Sequence, residues 1–278
     1  MIEIFDSNIH FYNYSTDLNQ NNIKNVNKNL EFEKNLTEYK IKFFLKHFQE
    51  ELKKNNLYNY HYNLMIFDQN ILNKNIDLVK LLRNVKSKTV LGNFKTKNFN
   101  SYIEKFVNNK INAVKFHRYF QNIKNKDFDN CLKLVRKIDK LKIPILIDTS
   151  YGTEKMYSHD NLEFAIEVLK NTKNSKVVLL HSGSLKVMEA YLIASKFENV
   201  ILDTSFSLDY FKEFLIIDDF IRVYSKIGAN RIIFGTDFPY VNLKPSLKNF
   251  LSIMKKCKFS TSEIKLIACQ NSKKLFKI

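Results

Sequence analysis

The feature of this sequence that most restricts its fold is a regular alternation of short apolar runs with longer amphipathic ones. Eight of the short runs are mostly apolar, which is typical of strands buried on both faces of a parallel sheet. The predicted strands are Ile2–Phe5, Tyr62–Phe67, Thr89–Leu91, Ala113–Phe116, Pro144–Ile147, Val177–Leu180, Val200–Leu202 and Ile232–Phe234.

Between these runs, apolar residues recur at steps of three and four residues, which predicts amphipathic helices. The predicted helices are Leu36–Leu52, Ile76–Val85, Tyr102–Val107, Cys131–Ile138, Leu162–Leu169, Leu185–Ile193, Tyr210–Tyr224, Leu247–Met254 and a C-terminal helix, Ser262–Phe276, with Ser262 as its cap. The segment Phe11–Asn29 is rich in asparagine and has no clear period. We therefore predict a long loop after the first strand, of the kind that often serves as a lid or a binding loop.

Eight strands, each followed by a helix, predict an α/β fold, a single (β/α)8 TIM barrel. The alternative is an open doubly wound sheet, which also alternates strand and helix but usually has a glycine-rich first turn. The chain has five glycines, and none lies in a G-x-G-x-x-G motif. We therefore expect one barrel domain that spans residues 1–278, a length at which α/β barrels commonly form one domain.

The composition, with 45% hydrophobic and 26% charged residues, is that of an ordinary globular protein. The cysteines are Cys131, Cys257 and Cys269, an odd number without a C-x-x-C pair, so neither a disulfide framework nor a cysteine-based zinc site is indicated. A reducing cytoplasm is the expected location. The N-terminus does not read as a signal peptide, and no apolar run approaches the roughly 18 residues of a membrane span, so we expect no membrane association.

The formal net charge of +17 would attract anions. The lysines are scattered, many of them beside asparagine, and no continuous basic block or nucleic-acid motif is present. We therefore expect no nucleic-acid partner, because basic charge alone is only an electrostatic footprint. A small anionic molecule is the expected partner.

Polar and ionisable residues follow one predicted strand after another. In a TIM barrel the active site lies at the carboxyl ends of the strands. We therefore expect these residues to lie together at that end of the barrel, which we call the mouth. They are Asp6, Asn8 and His10 after the first strand, Lys115, His117 and Arg118 at the fourth, Asp148 to Tyr151 at the fifth, His181 at the sixth, Asp203 at the seventh and Asp237 at the eighth.

Several motifs in this order resemble those of the amidohydrolase-related family of TIM-barrel metal-dependent hydrolases. They are Asp-x-Asn-x-His (6–10), Val-Lys-Phe-His (114–117), Leu-His-Ser-Gly (180–183), Phe-Gly-Thr-Asp-Phe-Pro (234–239) and the closing Ala-Cys-Gln-Asn-Ser-Lys-Lys-Leu-Phe (268–276). The resemblance extends from Ile2 to Phe276. The order and spacing of the motifs are specific for the family but not for a substrate.

The resemblance implies a divalent metal ion, zinc first and manganese second, that activates a water molecule. Its implied ligands are His10, His181, Asp237, Asp148 and Asn8. Asn8 and His10 occupy the places of the family's H-x-H pair, and alternating strand residues face the same side. Asn8 and Asp148 stand where histidines are expected, which makes the set richer in oxygen and moves its preference toward manganese or magnesium.

The predicted function is hydrolysis of an amide or lactone carbonyl in a small anionic substrate. Asp237 would take the proton from the water, and His181 is the second predicted catalytic residue. Lys115, His117, Arg118 and Tyr151 are predicted to bind the substrate, Lys115 as a point charge on a carboxylate or phosphate.

Other interpretations stay open at this point. The family includes members that resemble pyrone dicarboxylate lactonases and work without a metal, so a metal-independent lactonase or decarboxylase of a small carboxylate is one alternative. A barrel that has lost catalysis and serves as a binding protein is another. Asp148 could instead pair with Lys115 or cap a helix, Asp203 could be a structural hydrogen-bond acceptor, and a homodimer is left open.

Overall fold

Eight parallel strands form one sheet whose spatial order follows the chain from β1 to β8. The computed structural model describes residues 2–15, 23–151 and 157–278, without the side chains of residues 23–26. The strands are β1 Ile4–His10, β2 Tyr60–Ile66, β3 Ser87–Leu91, β4 Ala113–Phe116, β5 Ile145–Asp148, β6 Val177–Leu180, β7 Val200–Asp203 and β8 Ile232–Ile233. The prediction of a (β/α)8 TIM barrel is confirmed.

Backbone hydrogen bonds between β1 and the segment that follows β8 close the barrel. The N–H of Ser7 donates to the carbonyl of Phe234 (2.9 Å). The N–H of Asp237 donates to the carbonyl of Asn8 (3.0 Å), and the N–H of His10 donates to the carbonyl of Phe238 (2.8 Å). This seam brings the last predicted site residue, Asp237, directly beside the first two, Asn8 and His10.

The first strand is longer than predicted, because it continues past Phe5 to His10. Its polar residues Asp6, Asn8 and His10 are all buried. They stay in the strand because hydrogen bonds satisfy them there: Asp6, for example, accepts from the hydroxyls of Tyr60 and Thr236. A prediction from the run of apolar residues alone therefore ends this strand too early.

Helices lie between the strands, with bounds that differ in places from the prediction. They are Ile23–Lys34, Glu38–Lys54, Leu78–Leu81, Phe99–Asn108, Arg118–Gln121, Phe128–Lys140, Asn161–Lys170, Val187–Lys196, Ser207–Tyr210, Ile216–Ile227, Leu243–Lys256, Thr261–Lys265 and Asn271–Phe276. The predicted helix Tyr210–Tyr224 is thus two helices, and only Leu78–Leu81 of the predicted Ile76–Val85 is α-helical. The C-terminal helix contains a π-helical stretch, Leu266–Gln270, and its cap is Ser260, which forms a capping box with Glu263.

The predicted loop Phe11–Asn29 is wrong over its last part, where the helix Ile23–Lys34 begins. Residues 16–22 of that loop lie outside the described residues. The short polar residues Asn25, Asn27 and Asn29 weaken the helical signal in this stretch, because asparagine competes with the helix for backbone hydrogen bonds. Contacts of this helix with residues at the barrel mouth stabilise it where its intrinsic helix propensity is low.

The core has an inner and an outer layer. Outward strand residues pack against the helices, and inward residues such as Met65, Leu91 and Val178 fill the barrel. The C-terminal helix closes the barrel opposite the mouth, where Phe276 stacks on Phe5 with ring centroids 5.7 Å apart. Among the described residues, no helix is both long and apolar enough to cross a membrane, and Cys131, Cys257 and Cys269 are buried free thiols.

Gly235 is required where β8 meets the mouth. A Cβ at this position would lie 2.6 Å from Asp203 Oδ2 and from Ser7 Oγ, two atoms that are hydrogen-bonded to each other. We expect Gly235→Ala to lower the free energy of unfolding by about 1–3 kcal/mol, since the added methyl group overpacks the seam. Urea denaturation measures this loss, and an unchanged midpoint would contradict the close approach.

Candidate active site

The predicted site residues meet at the carboxyl ends of the strands, where they form two connected groups. The first, which we call the seam group, consists of Asn8, His10, Glu33 and Asp237. The second, which we call the lysine group, consists of Lys115, His117, Asp148 and His181. Apart from the partly buried His117, their side chains are almost completely buried.

In the seam group, Asp237 is the shared acceptor. Its Oδ1 accepts a hydrogen bond from the amide Nδ2 of Asn8 at 2.8 Å and lies 3.3 Å from Nε2 of His10. The other ring nitrogen of His10, Nδ1, lies 3.0 Å from Oε1 of Glu33. The imidazole of His10 is therefore held between two carboxylates.

This arrangement changes the pKa values of His10 and Asp237. Burial lowers the pKa of His10, but the carboxylates of Glu33 and Asp237 outweigh burial and raise it above its ordinary value. Burial raises the pKa of Asp237, but the hydrogen bond with His10 and the charge of His181 hold it below its ordinary value. Asp237 is therefore a carboxylate at neutral pH, which suits a proton acceptor.

In the lysine group, Asp148 is the shared acceptor. Its Oδ2 lies 3.0 Å from Nζ of Lys115, 3.3 Å from Nε2 of His181 and 3.5 Å from Nε2 of His117. Its Oδ1 accepts hydrogen bonds from the N–H and the hydroxyl of Ser150. The alternative prediction that Asp148 pairs with Lys115 is thus confirmed.

The two histidines around Asp148 differ in their protonation. Burial lowers the pKa of His181, but Asp148 outweighs burial and raises it to about 9. Burial and the neighbouring Lys115 lower the pKa of His117 to about 4, despite the opposing effect of Asp148. At neutral pH the group therefore presents a protonated His181 and a neutral His117.

Ser205 joins the two groups. Its hydroxyl accepts a hydrogen bond from Nδ2 of Asn8 at 3.0 Å and lies 3.1 Å from Nδ1 of His181, while it donates to Asp203. Asp203 also accepts from the hydroxyl of Ser7 and from the backbone N–H of His181. The predicted structural role of Asp203 is confirmed, because it accepts hydrogen bonds that hold Ser7, His181 and Ser205 in place.

Unusual backbone geometry aims the site residues inward. Asp237 has a φ of 72°, and the run His181–Ser184 has positive φ throughout, from 50° to 85°. Hydrogen bonds hold this run: the N–H of Gly183 donates to Oγ1 of Thr149, and the hydroxyl of Ser182 donates to the carbonyl of Asp203. Such strain is found where the surroundings over-determine it, and here it bends the chain sharply after β6.

Two predicted substrate-binding residues are not brought into either group. The guanidinium of Arg118 donates to the carbonyls of Ile123 and Asp160 and to side chains of Glu163 and Asn125. It therefore holds the start of the helix Asn161–Lys170. The ring of Tyr151 packs against Tyr157 and lies under the ammonium of Lys186.

The five predicted metal ligands are divided between the two groups. His10 Nε2 and Asp237 Oδ1 are 3.3 Å apart, and two ligands bound at 2.0–2.2 Å to one tetrahedral ion lie about 3.3–3.5 Å apart. The carbonyl oxygen Oδ1 of Asn8 is buried and accepts no hydrogen bond from the described residues, so it is available as a third ligand. His10 and Asp237, together with Asn8, are therefore the residues of the seam group that could hold a divalent cation.

Asp148 and His181 do not share that arrangement. Within residues 2–15, 23–151 and 157–278, no three His, Cys, Asp or Glu side chains are placed to hold one metal ion. Oδ2 of Asp148 faces the ammonium of Lys115 at 3.0 Å and Nε2 of His181 at 3.3 Å. For these two residues the structure favours hydrogen bonding over metal ligation.

Glu33 and Ser205 are the site residues that the sequence analysis missed. Glu33 lies two residues from the exposed Glu31 in the same helix, and no local pattern distinguishes them. Ser205 follows a predicted strand, as the named candidates do, so its position was a usable signal.

The fold and the mouth define a TIM barrel with a polar, buried site at the carboxyl ends of its strands. The sequence profile of the amidohydrolase family matches residues 94–278, which is more than half of the chain. The protein belongs to the amidohydrolase family, as the resemblance in its motifs predicted. A search of curated proteins finds no match.

Solved structures of similar fold include an amidohydrolase from Burkholderia multivorans with bound zinc (10% identity, TM-score 0.68, 99% of both chains covered). A probable 2-pyrone-4,6-dicarboxylic acid hydrolase from Acinetobacter baumannii with citric acid bound has 14% identity, a TM-score of 0.63 and 100% coverage of both chains. A dihydroxybenzoic acid decarboxylase from Polaromonas with manganese and an inhibitor has 13% identity and a TM-score of 0.62, with 100% of this chain and 97% of that chain covered. At these identities the likeness shows the fold alone.

Proposed function

We propose that the protein is a hydrolase that adds water to the carbonyl carbon of a lactone or amide in a small carboxylate. One observation carries this proposal: a buried carboxylate, Asp237, and a buried ammonium, Lys115, lie in the same mouth. The first suits the activation of water, and the second suits the binding of a negatively charged substrate. The pyrone dicarboxylic acid hydrolase of similar fold supports this class of substrate.

Asp237 would act as the general base. It is ionised at neutral pH, and the N–H of Asn8 and the ring of His10 hold its Oδ1 in one position. A water molecule beside Asp237 would lose a proton to it while attacking the carbonyl carbon. Asp237 would then pass the proton to the leaving group.

The lysine group would bind and polarise the substrate. The ammonium of Lys115 pairs with the carboxylate of Asp148 and carries further N–H bonds that can be donated to a substrate carboxylate. His181, protonated through Asp148, would place its positive charge near the carbonyl oxygen as negative charge develops there. His117 and Tyr151 would line the entrance, whereas Arg118 would support the binding loop.

A divalent cation, if bound, would be held by His10 and Asp237 with the amide oxygen of Asn8. Such an ion lowers the pKa of a bound water molecule, which increases the supply of hydroxide at neutral pH. One imidazole with two oxygen ligands favours manganese more than an all-histidine set does, and zinc is the other candidate. Similar structures with bound zinc and bound manganese support both choices.

A metal-independent reaction on the same substrate class is the second candidate. Two contacts favour it: the side-chain N–H of Asn8 already donates to Asp237, and Lys115 already pairs with Asp148. Decarboxylation is included here, because a 2,6-dihydroxybenzoate decarboxylase has a similar fold.

Metal binding and hydrolysis can be tested together with Asn8→His. Protein purified without chelators is assayed on lactones, amides and aryl carboxylates, with and without Zn²⁺ or Mn²⁺. We expect metal-stimulated hydrolysis in the wild type. We also expect Asn8→His to tighten Zn²⁺ binding at least about tenfold in calorimetry, because an imidazole nitrogen is a stronger zinc ligand than an amide oxygen.

Asn8→Leu, which supplies no ligand, is the matched control and should weaken binding. Activity that is unchanged by chelation, with no gain in metal affinity for Asn8→His, would replace the first candidate by the second. A panel without any turnover, together with a tight partner complex, would favour the binding-protein alternative.

A further inference from the structure

Glu33 is a fully buried carboxylate that none of the recognised motifs includes. Its Oε1 lies 3.0 Å from Nδ1 of His10, and its Oε2 accepts a hydrogen bond from the hydroxyl of Tyr240 at 3.3 Å. Its side chain is not exposed at all. Burial of a carboxylate is costly unless it is paired and hydrogen-bonded, so this position needs these two partners.

The helix that carries Glu33, Ile23–Lys34, lies outside the repeating strand–helix units and is anchored on the mouth by Asn29, one turn earlier. The amide of Asn29 donates to the carbonyl of Phe11 at 3.2 Å, and its Oδ1 accepts from the N–H of Asn13 at 3.0 Å. Asn29 also lies within 3.5 Å of the hydroxyl of Tyr240. Two residues on one face of the helix thus contact the segments that follow β1 and β8.

The surface ion pair of this helix does not involve Glu33. Glu31 on the opposite face is exposed and pairs with Lys34 at 2.9 Å, an arrangement worth a few tenths of a kcal/mol at most. Glu33, in contrast, directs its carboxylate at a ring that faces Asp237 on its other side. Its contacts therefore belong to the mouth and not to the helix.

We propose that Glu33 is a positioning residue for His10: it accepts the Nδ1–H hydrogen bond and thereby turns Nε2 toward Asp237. A histidine ring has two distinct nitrogens, and the partner of one determines what the other presents. With Nδ1–H donated to Glu33, Nε2 is directed at Asp237 whether it carries a proton or serves as a ligand. Carboxylates behind metal-binding histidines fix the tautomer in the same way.

The consequence for catalysis rests on the proposed function, but the positioning itself does not. Without an acceptor at position 33, the Nδ1 proton of His10 loses its partner, and the ring can rotate or keep its proton on Nε2 alone, the nitrogen that faces Asp237. Asp237 would then keep only Asn8 as a fixed partner. The helix Ile23–Lys34 would in this way complete the pair of residues that handles the water.

The test uses nitrogen NMR of the histidine rings in protein labelled with 15N-histidine. Glu33→Met removes the acceptor, Glu33→Gln keeps an acceptor oxygen, and Glu31→Met is the matched control on the same helix. His10→Asn identifies the His10 signals. We expect a protonated Nδ1 at His10 in the wild type, in Glu33→Gln and in Glu31→Met, and an unprotonated Nδ1 in Glu33→Met, where Asp237 still faces Nε2.

A His10 spectrum that is the same in Glu33→Met as in the wild type would overturn the proposal. If Glu33→Met does not fold, the wild-type spectrum decides, since an unprotonated Nδ1 there would also overturn it. Where the substrate panel yields a substrate, Glu33→Met should lower kcat at least about tenfold with little change in KM. A panel without turnover counts against the proposed function only, because the ring spectrum is independent of activity.

Discussion

Asp237→Asn is expected to lower kcat about 10²–10⁴-fold, the usual contribution of a general base. Asparagine has almost the same shape as aspartate, but its amide cannot accept a proton from water at neutral pH. The measurement is steady-state turnover of a substrate identified in the panel, with the far-UV spectrum and the unfolding midpoint as checks on the fold.

Asp209→Asn is the control for this change. Asp209 lies after β7 and accepts hydrogen bonds from Ser246 and Asn249 outside the two groups. Its amide variant should stay within about twofold of wild-type kcat. Turnover of Asp237→Asn at the wild-type rate would remove Asp237 from the reaction, and with it the assignment of the seam group as the site of water activation.

Lys115→Met is expected to lower the free energy of unfolding by about 3–5 kcal/mol, the cost of leaving one member of a buried ion pair without its partner. Lys115 and Asp148 are both at most 2% exposed. The protonated His181 also faces Asp148 and places the expected loss of stability at the lower end of this range. Urea denaturation at neutral pH measures it.

The double variant Lys115→Met with Asp148→Asn separates stability from binding. It removes the unpaired charge, so most of the lost stability should return. Its KM for a carboxylate substrate should still be raised at least about tenfold, because the ammonium is absent. A single variant as stable as the wild type would show that Lys115 does not stabilise the fold as the partner of Asp148. A double variant with unchanged KM would show that Lys115 does not anchor the substrate.

The alternation of strands and helices was predictable because it is local. Each buried strand must be apolar over a few residues, and each helix must bury one face, so both periods are visible along the chain. The same locality explains the errors: the prediction ended β1 at Phe5, since the polar residues that follow are satisfied by distant partners such as Thr236. The helix that begins at Ile23 was missed for a related reason, because its docking surface is remote in sequence.

The convergence of site residues was likewise predictable from topology. Parallel strands place their carboxyl ends at one edge, so His10, Lys115, Asp148, His181 and Asp237 were expected to share a mouth, and they do. Their partners were not predictable. The sequence offered one set of five metal ligands, whereas the folded chain pairs Asp148 with Lys115 and leaves His10 with Asp237.

Strand periodicity and motif order alone predicted the barrel, the family and the end of the barrel where the candidate site residues meet. The tertiary structure alone establishes that Glu33 lies behind His10, that Arg118 holds a helix start, and that the ionisable residues form two groups. The reason is physical: burial follows from the residue types in one segment, whereas the choice of partner for a buried charge depends on distances of about 3 Å between segments far apart in the chain.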